Sequence, residues 1–271
     1  MATDYLKLAQ QRIKRPGDDD RMPRYLVYAR NKKGKTRFSA TAPNVLIVDP
    51  EQGTDEEQKI NPDVWKITEW QDLDDIYHYM RGARKSPTTG KRYEWISLDG
   101  MTRIHKIAMR FIKGSKLTDD LTKKPEDQSN RVYGKANDLV EDMLHKFHSL
   151  RDLGIILTAQ ERMIEIANME DLDDDEATPA AYQYVSDLPK GARGSLNQIV
   201  DVVGRLYVVR TDVKRRVNGK VVMVPNALQR RLWVAPHDLY DTGYRSQFEL
   251  PDFIKSPSVP RVNKAIREGV V

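Results

Sequence analysis

Cysteine is absent from the 271 residues. That removes disulfide bridges, thiolate zinc sites, iron–sulfur clusters and cysteine nucleophiles at once, and a reducing, cytoplasmic setting is the natural fit. Long apolar runs are missing too. No stretch approaches the roughly 18 apolar residues of a membrane span, and the first residues carry no apolar signal core, so no membrane association is expected. Neither sign of charge dominates, since 45 Lys and Arg face 40 Asp and Glu, for a formal net charge of +5. The five histidines form no ligand constellation: His145 and His148 stand three apart without a third partner. A Ser-His-Asp set is equally lacking, so redox, metalloenzyme and serine-hydrolase readings have no support.

What remains is an ordinary globular composition, 39% hydrophobic and 31% charged, long enough for a sizeable core. Basic residues gather at 30–37, 214–216 and 229–231, and one acidic block, Glu170 to Glu176, opposes them. Each such patch can be a solvated loop or a surface for a phosphate-bearing partner. The acidic block has no strand-held, spaced carboxylates and so does not read as a nuclease centre.

Four short apolar runs punctuate the chain: Arg24 to Ala29, Val45 to Asp49, Trp95 to Asp99 and Leu153 to Thr158. Runs of this length, apolar on both faces and ending in polar residues, suit parallel strands buried between helices. Between them, 72–81, 101–111 and 132–150 place apolar residues at helical spacing, with Leu139, Met143, Phe147 and Leu150 on one stripe of the last. The alternation predicts an α/β fold with a mostly parallel sheet flanked by helices. Near the C-terminus, Leu206 to Arg210 and Val221 to Val224 flank Asn218-Gly219, a hairpin signal, and Arg231 to Ala235 reads as a further strand, so an antiparallel extension is expected. The divisions that follow are a lead-in at 1–23, a core at 24–254 and a basic tail at 255–271, and the chain after Pro251, with Pro257 and Pro260, reads as loosely ordered.

The segment Ala29-Arg30-Asn31-Lys32-Lys33-Gly34-Lys35-Thr36, continued by Arg37, follows the first strand. It matches the phosphate-loop pattern G-x-x-x-x-G-K-[ST] with alanine in place of the first glycine. Backbone N–H groups of such a loop wrap nucleotide phosphates, and Gly34 permits close approach. Lys35 would reach the β- and γ-phosphates and the Thr36 hydroxyl would bind Mg²⁺. A basic surface turn is the alternative. Asp99, at the end of the third run, stands where a Walker B aspartate would hold the magnesium through water; a helix N-cap is its plain reading. Glu51 stands where a carboxylate could polarise the attacking water, and Gln160 where a strand-end amide could sense the γ-phosphate. Their plain readings are a turn acid and a satisfied amide.

Strand, phosphate loop, very short helix and a strand ending in Asp-x-Glu-x-Gly resemble the phage-encoded RecA-like ATPases of the single-strand-annealing type, an AAA-like family of phage nucleotide-binding proteins. The matching stretches are 28–53, 95–102, 155–162 and 200–206. The resemblance implies a RecA-like core and ATP hydrolysis with Mg²⁺, coupled to single-stranded DNA in phage recombination or replication within the host cytoplasm. It also implies rings or filaments with ATP at subunit boundaries, and a phage or host single-strand-binding protein as a further partner. A trans-acting cation would be Arg245, with Gly243 standing where the family has a lysine. The long connections 113–131 and 162–195 fall where RecA-like proteins present DNA-binding loops, which points to Lys190 and Arg193 on phosphates and Tyr182 or Tyr184 on bases. Two other readings use the same core: a hexameric ring motor of the helicase kind, working with or without a nuclease, and a nucleotide-gated DNA-binding scaffold with little turnover.

Overall fold

A computed structural model describes residues 5–13, 21–54, 61–114, 125–166, 181–217 and 220–270. The acidic block Glu170 to Glu176 lies outside the described residues. After α1 (Tyr5–Arg12), the chain enters β1 (Arg24–Ala29), α2 (Lys35–Ala40), β2 (Val45–Asp49), β3 (Asp63–Lys66), α3 (Gln71–Arg81), β4 (Trp95–Asp99), α4 (Met101–Gly114) and α5 (Pro125–His148). It continues through β5 (Gly154–Ile166), β6 (Ala181–Ser186), α6 (Lys190–Ile199), β7 (Val202–Val217), β8 (Lys220–Trp233), β9 (Gly243–Tyr244), β10 (Phe253–Lys255) and α7 (Val259–Glu268).

The strands form one mixed sheet in the order β10-β8-β7-β1-β5-β4-β2-β3, with β6 beside β5 and β9 beside β7. From β7 to β3 the neighbours on this path run parallel, and β8 and β10 add an antiparallel edge. β1 is wholly buried and alternates between two cores, as the two-residue strand period requires. Leu26 and Tyr28 face the core built with α3, α4 and α5, where Leu73, Ile104 and Phe147 are buried. Tyr25, Val27 and Ala29 face the other, with Phe38 of α2 and Val262 of α7. The expected mostly parallel α/β sheet with an antiparallel C-terminal extension is therefore what forms.

Four expectations need correction. The segment 255–271 is not loosely ordered: Ser258 caps α7, whose Val259, Val262 and Ala265 are buried, so an amphipathic stripe outweighs the prolines. The run at 221–224 and the start of the run at 231–235, as far as Trp233, belong to one strand, β8. Pro225 is tolerated within it because the pairing shifts between Thr211 and Val213, where Asp212 accepts a hydrogen bond from the Asn226 N–H at 3.0 Å. The connection 113–131 is helical from Pro125 onward. The connection 162–195 holds the end of β5, then β6 paired antiparallel with it, then the start of α6.

Candidate functional site

The parallel strands end together on one side of the sheet. There β1, β2, β4 and β5 deliver Ala29, Asp49, Asp99 and Gln160 to the rim of a cleft of about 590 Å³. The crevice beyond the carboxyl ends of parallel strands is where open α/β sheets bind ligands. Ala29 closes β1 in extended conformation, paired with Gln160, so its methyl group is accommodated. The left-handed turns of the loop fall at Lys32 (φ 59°) and Gly34 (φ 98°). Asn31, Lys32, Gly34, Lys35, Thr36 and Arg37 line the cleft, and Ala29, Arg30 and Lys33 are not among the residues that do.

Lys35 donates to the Ala29 carbonyl at 3.3 Å and to Gln160 Oε1 at 3.4 Å. Both bonds are long and both acceptors are neutral. Burial lowers the Lys35 pKa, against the pull of Asp99, Glu51 and Glu161. An anion is the partner this ammonium lacks. The Thr36 hydroxyl donates to Asp99 Oδ2 at 2.5 Å, and Thr158 donates to Oδ1 at 2.7 Å. Burial pushes the Asp99 carboxyl up, opposed by those two hydrogen bonds. Asp99 is thus oriented by hydroxyls in the cleft rather than spent as a helix cap.

Glu51 is exposed and lies over Gly100, where a Cβ would meet its Oε1 at 3.4 Å. Its loop is held by Asp49, buried at the end of β2. The Asp49 carboxylate accepts from the Glu51 N–H at 2.9 Å, the Thr54 N–H at 3.1 Å and the Thr54 hydroxyl at 2.8 Å. Sequence reasoning missed this role for Asp49, although an acid closing an apolar run was its visible signal. It also missed Glu161, whose side chain is 3% exposed and bridges Arg30 of the loop at 3.0 Å and Arg205 of β7 at 2.7 Å. Burial acts to lower the Arg205 pKa, but the hydrogen bond and charge of Glu161 raise it on balance.

The remaining predicted residues are dispersed. Arg245 is exposed beside Asp201, its N–H donating to the Asp201 carbonyl at 2.7 Å, at the far end of the parallel strands from the loop. Within one chain it therefore lies away from the cleft. Tyr184 packs against the Arg205 guanidinium and the Tyr240 ring, Arg193 faces the Asp241 carboxylate at 3.8 Å, and Tyr182 is exposed on β6. Lys190 lines a second groove of about 670 Å³ with Arg103, Lys106 and Arg110 of α4, Arg162 of β5 and Tyr133 of α5. The three α4 cations follow a helical stripe opposite the buried Ile104, Ile107 and Ala108, a periodicity that could have been read from the sequence.

The donor set suits magnesium, a hard cation that prefers oxygen: Thr36, Asp99 and Glu51 offer only oxygens. Among the described residues no group of three or more His, Asp or Glu is arranged to hold a metal, so such an ion would be completed by phosphate oxygens. A phosphate loop after a buried strand, an acid at the end of β4 two strands away and an anion-seeking lysine define an α/β P-loop nucleotide-binding protein. A family model described as an AAA domain matches residues 21–246, and the chain belongs to that family. Membership indicates nucleotide-dependent, ATPase-type activity in general. No curated protein matches the chain. Among the described residues no helix is long and apolar enough to cross a membrane.

Proposed function

We propose that the protein hydrolyses ATP and couples it to single-stranded DNA in phage recombination or replication, acting as an oligomer with ATP at subunit boundaries. The observation that carries the ATPase reading is the Lys35–Gln160 and Thr36–Asp99 arrangement around one cleft. Lys35 neutralises charge on the β- and γ-phosphates, and Thr36 with Asp99 would hold Mg²⁺, which would supply further charge neutralisation there. Glu51 accepts a proton from the attacking water as the water oxygen bonds to the γ-phosphorus. The bond from that phosphorus to the β–γ bridging oxygen breaks, leaving ADP and phosphate. Gln160 contacts the γ-phosphate and registers its loss.

The DNA reading is supported by the second groove. Five cations and one exposed tyrosine against a single acid, Asp187, suit a phosphate backbone with bases stacking on a ring. Lys190 belongs to this groove, and Tyr182 remains available on β6. The exposed Arg245 is the cation offered to a neighbouring copy's phosphates.

Steady-state phosphate release, with Mg²⁺ and with or without single-stranded DNA, tests the reading on wild type and Lys35→Ala. DNA-stimulated turnover, reduced at least about 100-fold in Lys35→Ala, is expected. ATP binding without turnover in the wild type would leave a nucleotide-gated scaffold instead.

A further inference from the structure

Arg230 lies on β8, 197 residues from the phosphate loop, yet its Nε donates to the Lys33 carbonyl at 3.2 Å. The contact with the loop is close. A Cβ on Gly34 would stand 2.6 Å from that Nε, so the guanidinium rests directly against the glycine of the loop. The strand explains how it arrives there. Leu232, two residues on and therefore on the same face of β8, is buried in the core that contains Phe38 of α2. Arg230 sits one pleat earlier, so its side chain passes the start of α2 instead of packing beneath it. The backbone is anchored on both sides: Arg230 pairs with Val208 across β7, and its carbonyl accepts from the Ser256 N–H at 2.8 Å, next to β10.

Arg230 lines the nucleotide cleft with Lys35, Thr36 and Asp99. Its Nε is the atom committed to Lys33. Among the described residues its two Nη groups hold no hydrogen bond, although arginine offers five donors in a planar fork suited to phosphate. The Lys33 bond fixes the side chain without using that fork.

We propose that Arg230 is a cis-acting cation of the nucleotide site, donating from its Nη groups to phosphate oxygens of a nucleoside di- or triphosphate bound in its own chain. The inference rests on the nucleotide-binding reading above and adds a residue to it. It makes the site's charge complement independent of the neighbour for one arginine.

Equilibrium titration with fluorescent ADP and a non-hydrolysable ATP analogue tests this on wild type, Arg230→Ala, Arg230→Gln and Lys35→Ala. Arg230→Ala and Arg230→Gln should each weaken both nucleotides roughly tenfold, the loss expected for a charged hydrogen bond. Their melting temperature without nucleotide should match wild type. The glutamine variant keeps the stem and carries the test if the alanine variant does not fold. Wild-type affinity in a folded Arg230 variant overturns the proposal while leaving the nucleotide site intact. Absence of binding in the wild type, by contrast, overturns the site itself and the proposal with it. Mixing Arg230→Ala with Lys35→Ala chains separates cis from trans, because a trans-acting Arg230 would restore hydrolysis at mixed interfaces. No recovery is expected, and recovery would overturn the cis assignment.

Discussion

The two ends of the parallel strands treat charge in opposite ways. At the end where the strands begin, carboxylates meet cations at short range. Asp201 takes both Arg21 Nη groups at 2.5 and 2.8 Å and the Arg24 N–H at 2.9 Å. Asp152 takes Arg84 at 3.0 Å and Arg92 at 2.7 Å. At the end where the strands finish, Lys35 rests on two neutral oxygens at 3.3 and 3.4 Å, and Arg230 keeps its Nη groups unbonded among the described residues. One end pairs its charges within the chain, whereas at the other Glu161 pairs with Arg30 and Arg205 while Lys35 and the Arg230 Nη groups meet no carboxylate among the described residues. A partly buried ammonium such as Lys35, held only by neutral oxygens, is the kind of group found at functional sites.

Substitutions at the two ends should therefore separate activity from stability. The largest effect belongs to the cleft end: with Glu51 as the proposed proton acceptor, Glu51→Gln should lower kcat by about 100-fold with KM little changed. Its melting temperature should stay at the wild-type value, and a large loss of stability would remove the distinction between the ends. At the opposite end Asp201→Asn should cost about 2–3 kcal/mol of folding stability in urea denaturation, by breaking a bidentate, partly buried ion pair. Nucleotide affinity of the folded variant should be unaltered. The smallest effect is one of pH. Burial acts to raise the Asp152 carboxyl, but hydrogen bonding and charge from Arg84, with Arg92 adding to it, hold it below the usual aspartate value. A depressed folded value means stability that is complete above the unfolded value of about 3.9 and is lost as pH falls through the lower folded one. Asp152→Asn should flatten the stability curve below about pH 4; an unchanged acid limb would place the effect elsewhere.

Much of this was legible in the sequence, and the reasons are local. β1, β2, β4 and the start of β5 announce themselves because burial on both faces makes them continuous apolar runs. Lys35, Thr36, Asp99, Glu51 and Gln160 were readable because Asp99 closes such a run and the other four lie within seven residues after one, and all five line one cleft. What escaped depends on distance along the chain. Arg230 belonged to a visible basic patch, but nothing local shows that β8 lies two strands from β1. β3 spans only four residues and is nowhere fully buried, so it lacks the apolar signature. α7 was hidden by Pro257 and Pro260, the second of which sits in the helix's first turn, where proline is tolerated.

The position of β1 also decides when the cleft can exist. Its partners are β5, with Arg24 opposite Ile155, and β7, with Tyr25 opposite Val202. Both closures span well over one hundred residues, and contacts of such separation form slowly because loop entropy must be overcome first. The phosphate loop lies early in the chain, yet its walls are supplied only after most of the chain is in place. During synthesis, the emerging loop waits for β7 and β8 before it can hold a nucleotide. Nucleotide binding is consequently a report on the finished sheet: ATP stabilises only chains whose long-range pairings are complete.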